Sequence, residues 1–238
     1  MIILDNIWLF IHIPKTSGKN FKKMISENYK KPFKKYDINV NENTIVCPNL
    51  KNIYWENYNQ KFLNLHGINF DSRLIDKYAP QHSSVFMLER AGIYNKIKHK
   101  VITIVRNPYT RLISLYYNVL RLCANNNIII PSLEYILFSS NSKDIIPIFG
   151  FSNFQRTQLD YLKDIKGNIV CQKFYKMETD QEKIKKDFEL DCKQNTNYHI
   201  TQSSRDYSLI YTDKLIDYVQ TTFKQDFEYF DYDINPFW

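Results

Sequence analysis

The residues best suited to chemistry lie in two short segments of a 238-residue chain. In "PKTSGKN", Pro14 to Asn20, a lysine, two hydroxyl residues and a glycine follow an apolar run. A loop between a buried strand and a helix N-terminus presents backbone N–H groups without partners, and the helix dipole favours an anion there. Lys15 adds a point charge, Thr16 and Ser17 add hydroxyl donors, and Gly18 permits close backbone approach. In "VRNPYTRLISLYY", Val105 to Tyr117, Arg106 closes a β-branched run and Ser114 comes eight residues later. That spacing is about two helical turns, so Ser114 can share the side of the strand end. A guanidinium with a nearby hydroxyl makes a good phosphate clamp, because the planar fork donates in parallel. Arg111 is a second candidate, with a surface ion pair as its alternative.

A Walker A loop has the form G-x-x-x-x-G-K-[ST]. Gly18-Lys19 supplies its G-K, but Ile13 stands at the first glycine and Asn20 at the Ser/Thr position. One change removes the wide backbone cradle and the other the Mg²⁺-binding hydroxyl. A metal-dependent nucleoside triphosphatase is disfavoured.

These segments need strands and helices to present them. "IWLFIHI", Ile7 to Ile13, is a near-continuous apolar run, the mark of a parallel strand buried on both faces. Phe21, Met24, Ile25 and Tyr29 then recur at helical spacing from Gly18 onward. "KVITIVRNP", Lys100 to Pro108, is the second strong strand, and Pro108 suits the first turn of the helix after it. That helix carries a stripe of Leu112, Leu115, Tyr116 and Val119. Further elements are predicted as a helix over Ser83–Ile97, a weaker strand near Asn168–Phe174, a helix around Thr179–Cys192 and a last helix over Tyr211–Phe227. Pro32 to Gln60 is polar, Asn-rich and without a clean period, and is expected to be largely irregular. Strands alternating with helices predict an α/β protein: a P-loop-like three-layer fold with a central parallel sheet flanked by helices. No repeat or Pro/Gly/Ser linker divides the chain, so residues 1–238 are expected to form a single domain.

Hydrophobic content of 44% and aromatic content of 16% exclude a disordered chain. The net charge of +7 favours anionic ligands. Lys19, Lys22, Lys23, Lys30, Lys31, Lys34 and Lys35 cluster beside the first loop and would enrich an anion there. Cys47, Cys123, Cys171 and Cys192 are widely spaced with no CxxC pair, so they read as reduced, mostly buried thiols rather than a metal or disulfide framework. The apolar N-terminus is short, interrupted by Asp5 and lacks a basic lead, so it reads as core rather than as a signal peptide or membrane span. A soluble, cytoplasmic chain is expected.

Two strand ends that each carry anion-binding residues imply a ligand with two separated phosphate-like groups. Here the residues resemble a known family. "IPKTSGKNF" looks like the 5′-phosphosulfate loop of PAPS-dependent sulfotransferases, and "VRNPYTRLISLYY" like their 3′-phosphate motif, R-[DN]-P-x-x-R-x-x-S. The closer likeness is to the carbohydrate-type branch, heparan and chondroitin sulfotransferases with compact microbial relatives. "PQHSSVFML" resembles the family's His-containing segment, "FQRTQLDYLKDIKGNIVCQKFYKMET" its PQ…YL.D..G.I….E segment, and "TQSSRDYSLIYTDKLIDYVQTTFKQDFEYFDYDI" its C-terminal ending. Lys19-Asn20 stand where the family usually carries Thr-Ser or Thr-Thr; Asn20 keeps an amide donor and Lys19 adds charge.

The resemblance implies a sulfuryl transfer from PAPS to a hydroxyl, releasing PAP, with no metal required. Lys15 would stabilise charge on the leaving oxygen. Thr16, Ser17, Gly18, Lys19 and Asn20 would hold the 5′-phosphosulfate, and Arg106 with Ser114 the 3′-phosphate. Ser203 and Arg205 in "QSSRDY" would close over the nucleotide, with a capped surface turn as their alternative. Glu178 matches a family position and would otherwise cap the helix that begins there. A hydroxyl nucleophile needs a general base, and His suits that role. Of five histidines, His12 lies within the first strand and reads as structural, His99 in "KHK" as solvated, and His199 sits in a polar loop that could line the site. The resemblance favours His82, 24 residues before Arg106, with His66 as runner-up. The expected acceptor is a glycan or glycoconjugate; neither nucleic acid nor a membrane span is expected. Loops over Pro32–Tyr58 and Ile128–Phe151 would shape the acceptor pocket. Two rivals remain, a P-loop-type nucleotide kinase and a non-catalytic nucleotide- or glycan-binding protein on the same fold.

Overall fold

A computed structural model describes residues 2–35, 39–41, 44–46, 53–54, 82–90, 94–125, 132–139, 152–190 and 207–236. Its centre is a five-stranded sheet. Three parallel strands form the heart of it: β2 (Trp8–Ile11), β7 (Lys100–Val105) and β8 (Cys171–Lys176), with β7 in the middle. The sheet, expected to be parallel, carries an antiparallel edge beyond β2, formed by β1 (Ile2–Leu4) and then β3 (Phe33–Lys35). The apolar N-terminus is therefore a hairpin rather than one strand. Its turn is made by Asp5 and Asn6, at φ 52° and 57°, and Ile7 N–H donates to the Leu4 carbonyl at 3.0 Å. Asp and Asn tolerate the left-handed region that such a turn requires.

Alternation along the strands builds the layers. Leu9, Ile11, Val101 and Val105 pack on one face with Val85, Leu88, Leu159 and Phe230. Phe10, Ile102 and Ile104 pack on the other with Phe21, Met24 and Ile25 of α1 (Gly18–Asn28) and with Ile184 of α6 (Gln181–Asp187). Helices therefore cover both faces, and the α/β layered architecture read from the sequence holds. A further apolar core joins α3 (Pro108–Asn125) to α4 (Leu133–Phe138), α5 (Ser152–Gln155), α7 (Asp213–Thr222) and α8 (Lys224–Phe230).

Several boundaries differ from expectation. Of the helix predicted over Ser83–Ile97, Val85–Arg90 is α2, while the described residues from Tyr94 onward are not helical. Asn95 turns the chain instead, its Oδ1 accepting the Ile97 and Lys98 N–H groups at 2.9 and 3.2 Å. The predicted last helix is broken at Phe223, which ends α7 and caps α8. The weak strand starts at Cys171 because Asp164 Oδ1 holds the N–H groups of Lys166 and Asn168 in a turn, where Gly167 sits at φ 83°. Within Pro32–Gln60, expected to be irregular, β3 joins the main sheet, and β4 (Asn39–Asn41), β5 (Thr44–Val46) and β6 (Ile53–Tyr54) form a second, antiparallel sheet. Ladder bonds between short segments override the absence of a sequence period there. Cys123 is buried, and burial pushes the Cys171 thiol up to about 12; Cys47 and Cys192 lie outside the described residues. Among the described residues, no helix is long and apolar enough to cross a membrane.

Candidate functional site

β2 and β7 run side by side and end at the same edge of the sheet, so the segments that leave them meet there. After β2 the chain passes Pro14 and enters a loop in which Lys15 and Ser17 both adopt φ 67°. Left-handed residues alternating with ordinary ones turn successive N–H groups to one side and form an anion-binding concavity. Neither residue is glycine, so the loop stores backbone strain. Ser17 precedes α1 without capping it through its side chain, which leaves the first N–H groups of the helix uncapped. Asn20 Nδ2 donates to Ser17 Oγ at 3.1 Å, so the serine hydroxyl proton stays available to a ligand. Thr16 differs from the expected hydroxyl donor. It is fully buried and its Oγ1 donates to the Ile13 carbonyl at 2.9 Å, so only its backbone can serve an anion.

Lys15 is half-buried. Burial, then the charges of Arg106, Lys19 and Arg121, lower its pKa. Among the described residues no carboxylate pairs with it. A cation held among cations, without a counterion, suits an anionic ligand.

Across the loop, Asn107 caps α3 by accepting the Tyr109 N–H at 3.0 Å, and Pro108 occupies the first helical position as predicted. Arg106 is 6% exposed. Its Nε donates to Thr110 Oγ1 at 3.0 Å and its Nη1 to the Lys15 carbonyl at 3.3 Å. Among the described residues it forms no ion pair with a carboxylate. The nearest acid in the network, Glu178, is engaged elsewhere. It accepts from Asn107 N–H at 2.9 Å and from the Tyr232 hydroxyl at 2.9 Å. Glu178 thus braces the start of α3 rather than capping α6. Ser114, half-buried, lies one turn beyond Thr110 on the same side of α3.

Arg111 is neither a ligand clamp nor a surface ion pair. It is 1% exposed, with Nε donating to the Pro14 carbonyl at 3.3 Å and Nη1 to the Arg156 carbonyl at 3.0 Å. It fastens the loop to α3 from beneath.

His82 reaches the same edge. A carbonyl can only accept, so the 2.9 Å contact from His82 Nδ1 to the His12 carbonyl places the proton on Nδ1. Nε2 is then the lone-pair nitrogen. Burial drives the His82 pKa down to about 4; the bond to His12 opposes this, while Lys22 and Lys19 add to it. His82 is therefore neutral at pH 7. Its ring lies 4.3 Å from that of His12. His12 is 4% exposed, its Nδ1 has no partner among the described residues, and burial lowers its pKa far below the ordinary value. Gly18 rests against this ring: a Cβ there would fall 1.9 Å from His12 Cδ2. His12 thus links the loop to His82, a role its place within an apolar strand concealed. His99, expected to be solvated, is 8% exposed and accepts the Asn95 N–H on Nδ1 at 3.1 Å. His66, His199, Ser203 and Arg205 lie outside the described residues. Among the described residues, no three or more His, Cys, Asp or Glu side chains gather as a metal site.

The assembled edge gathers donors suited to anions along Lys15–Lys19 and at Arg106, with the His12–His82 ring pair against Gly18. A protein-family model described as the sulfotransferase family matches residues 5–144. No curated protein and no solved structure matches the chain.

Proposed function

Since the chain belongs to the sulfotransferase family, we propose that it is a PAPS-dependent enzyme that moves a sulfuryl group to a hydroxyl of a carbohydrate acceptor. The observation that carries this reading is the meeting of two anion motifs far apart in sequence, through the 3.3 Å bond from Arg106 Nη1 to the Lys15 carbonyl. A guanidinium has five N–H donors. Among the described residues two are tied, to Thr110 and Lys15, and the rest would serve a phosphate.

The donor set fits a nucleotide with anions at both ends of its ribose. PAPS would supply the transferable sulfuryl group and a stable leaving group. Lys15 would hold positive charge where the leaving oxygen develops negative charge, in a half-buried setting that strengthens the interaction. The backbone N–H groups of Thr16 to Lys19, with the Ser17 hydroxyl and the Asn20 amide, would hold the 5′ end. Arg106 and Ser114 would hold the 3′-phosphate. Ser203 and Arg205 are proposed to close over the nucleotide. His82 Nε2 would take the proton from the acceptor hydroxyl, its ring held by the Nδ1–H bond to the His12 carbonyl. The low pKa of His82 keeps Nε2 unprotonated at neutral pH but makes it a modest base. Its contribution then lies in orientation more than in basicity. No metal is assigned a step, and residues 1–238 are read as one sulfotransferase domain.

Thermal unfolding with PAP, and with ATP plus Mg²⁺, on wild type and Lys15→Ala tests the reading. Stabilisation by PAP but not by ATP, lost in the variant, is expected. No response to PAP would overturn it, and a response to ATP–Mg²⁺ alone would point to a kinase.

A further inference from the structure

At Arg106 the backbone outruns its sheet. The pairing of β2 with β7 ends at Ile11↔Thr103, while on the β8 side Met177 N–H donates to the Val105 carbonyl at 2.8 Å. Successive residues of a strand direct their N–H and C=O groups to opposite edges. Arg106 therefore turns its pair toward the side that β2 has left for the loop. Left unmade, those two bonds would be costly in a buried place.

The side-chain amide of Gln158 makes both. Arg106 N–H donates to Gln158 Oε1 at 2.9 Å, and Gln158 Nε2 donates to the Arg106 carbonyl at 2.8 Å. One amide stands in for the missing strand residue. Gln158 is fully buried and is itself gripped. Its own N–H donates to Asp226 Oδ2 at 2.7 Å, and the neighbouring Leu159 N–H donates to Asp226 Oδ1 at 3.0 Å. Asp226 is fully buried on α8. A chain of directed bonds thus runs from α8 through Gln158 to the backbone from which the Arg106 side chain departs.

The direction of that departure matters. A fork recognises a phosphate only when its donors face the oxygens, so an arginine on a loosely held backbone loses much of its advantage over a simple charge. Thr110 and the Lys15 carbonyl fix the guanidinium end; Gln158 fixes the backbone end. Sites depend on such supporting bonds for their aim.

We propose that Gln158 is a positioning residue: its amide aims Arg106 at the 3′-phosphate and so sets the preference of this protein for 3′-phosphorylated adenine nucleotides. This rests on the donor reading above. The test is titration calorimetry with PAP and with adenosine 5′-phosphate on wild type, Gln158→Met and Gln158→Asn. Met keeps the length without the hydrogen bonds; Asn keeps an amide too short to bridge both groups. In both variants PAP is expected to weaken by roughly ten- to a hundredfold, and adenosine 5′-phosphate by less than about threefold. Equal weakening of both ligands, or an unchanged ratio between them, would overturn the inference. Failure of both variants to fold would also overturn it, because the amide would then serve stability rather than aim. A wild type that shows no preference for PAP would instead remove the donor reading, and this inference with it.

Discussion

Replacing Gly18 by alanine tests the contact that joins the loop to the histidine pair. An ideal Cβ at that position would lie 1.9 Å from His12 Cδ2, 2.5 Å from Nε2 and 2.6 Å from Cγ. Carbon atoms prefer separations of about 3.5–4.0 Å, so three ring atoms would overlap the methyl group. The ring has little room to retreat. It is 4% exposed, stacks at 6.3 Å on Phe10 and lies 4.3 Å from His82. Gly18 opens α1 without a left-handed φ, so local propensity alone would make alanine stabilising by up to about 1 kcal/mol. Overpacking opposes this with a cost of about 1–3 kcal/mol. Net destabilisation of about 1–2 kcal/mol is expected, read as a lower urea midpoint at an unchanged m-value. Turnover should fall as well, since the displaced His12 presses on His82. The double variant His12→Ala/Gly18→Ala should be less destabilised than the two single effects combined, with a coupling of about 1 kcal/mol or more. A Gly18→Ala protein as stable as wild type, or more so, would show that the His12 ring does not confine this position, and so would strict additivity.

The same geometry yields other outcomes. His82→Ala should lower sulfuryl transfer by about 10²–10⁴-fold while PAP binding persists, and unchanged turnover would remove His82 from the mechanism. The folded pKa of His82, about 4, lies below the ordinary 6.5. Its contribution to stability is therefore full above pH 6.5 and lost as pH falls toward 4, up to roughly 3 kcal/mol. Asp226, pushed up to about 6 from 3.8 by burial, acts with the opposite sign over an overlapping window. Urea midpoints from about pH 4 to 7 should accordingly show a shallower acid loss in His82→Gln than in wild type; parallel curves would exclude the assignment. Arg111→Met should destabilise by about 2–4 kcal/mol, because the buried Pro14 and Arg156 carbonyls lose their donor. Equal denaturation midpoints for Arg111→Met and wild type would contradict its bracing role.

Much of the fold was legible because its signals are local. An apolar run before "PKTSGKN", another before Arg106-Asn107-Pro108, and helical stripes after each suffice to place two parallel strands and the helices they feed. The family, too, was legible from motif order alone, and the match over residues 5–144 accords with it. The Asp5–Asn6 hairpin was missed because its two strands merge into one apolar stretch, and only a pair of left-handed residues divides them. The small sheet of β4 to β6 was missed because strand pairing, unlike helix formation, needs no sequence period when neighbours supply the bonds.

Residue types, spacing and the family resemblance nominated the groups expected to bind an anion, among them Lys15, Thr16, Ser17, Gly18, Lys19, Asn20, Arg106 and Ser114. Which of these groups face the sheet edge and which are tied up elsewhere was decided by tertiary structure, through the direction of their bonds. Thr16 and Arg111 have the chemistry of ligands, yet turn inward to backbone carbonyls. Gln158 and Glu178 fall in a segment that resembles the family's, but nothing in the sequence says that they hold the Arg106 and Asn107 N–H groups at the end of the sheet. His12 reads as a strand residue until the Gly18 contact and the His82 ring are placed against it. Hydrogen bonds and steric contacts between residues tens of positions apart depend on where the sheet edge brings them, and that is information a linear chain carries only through its fold.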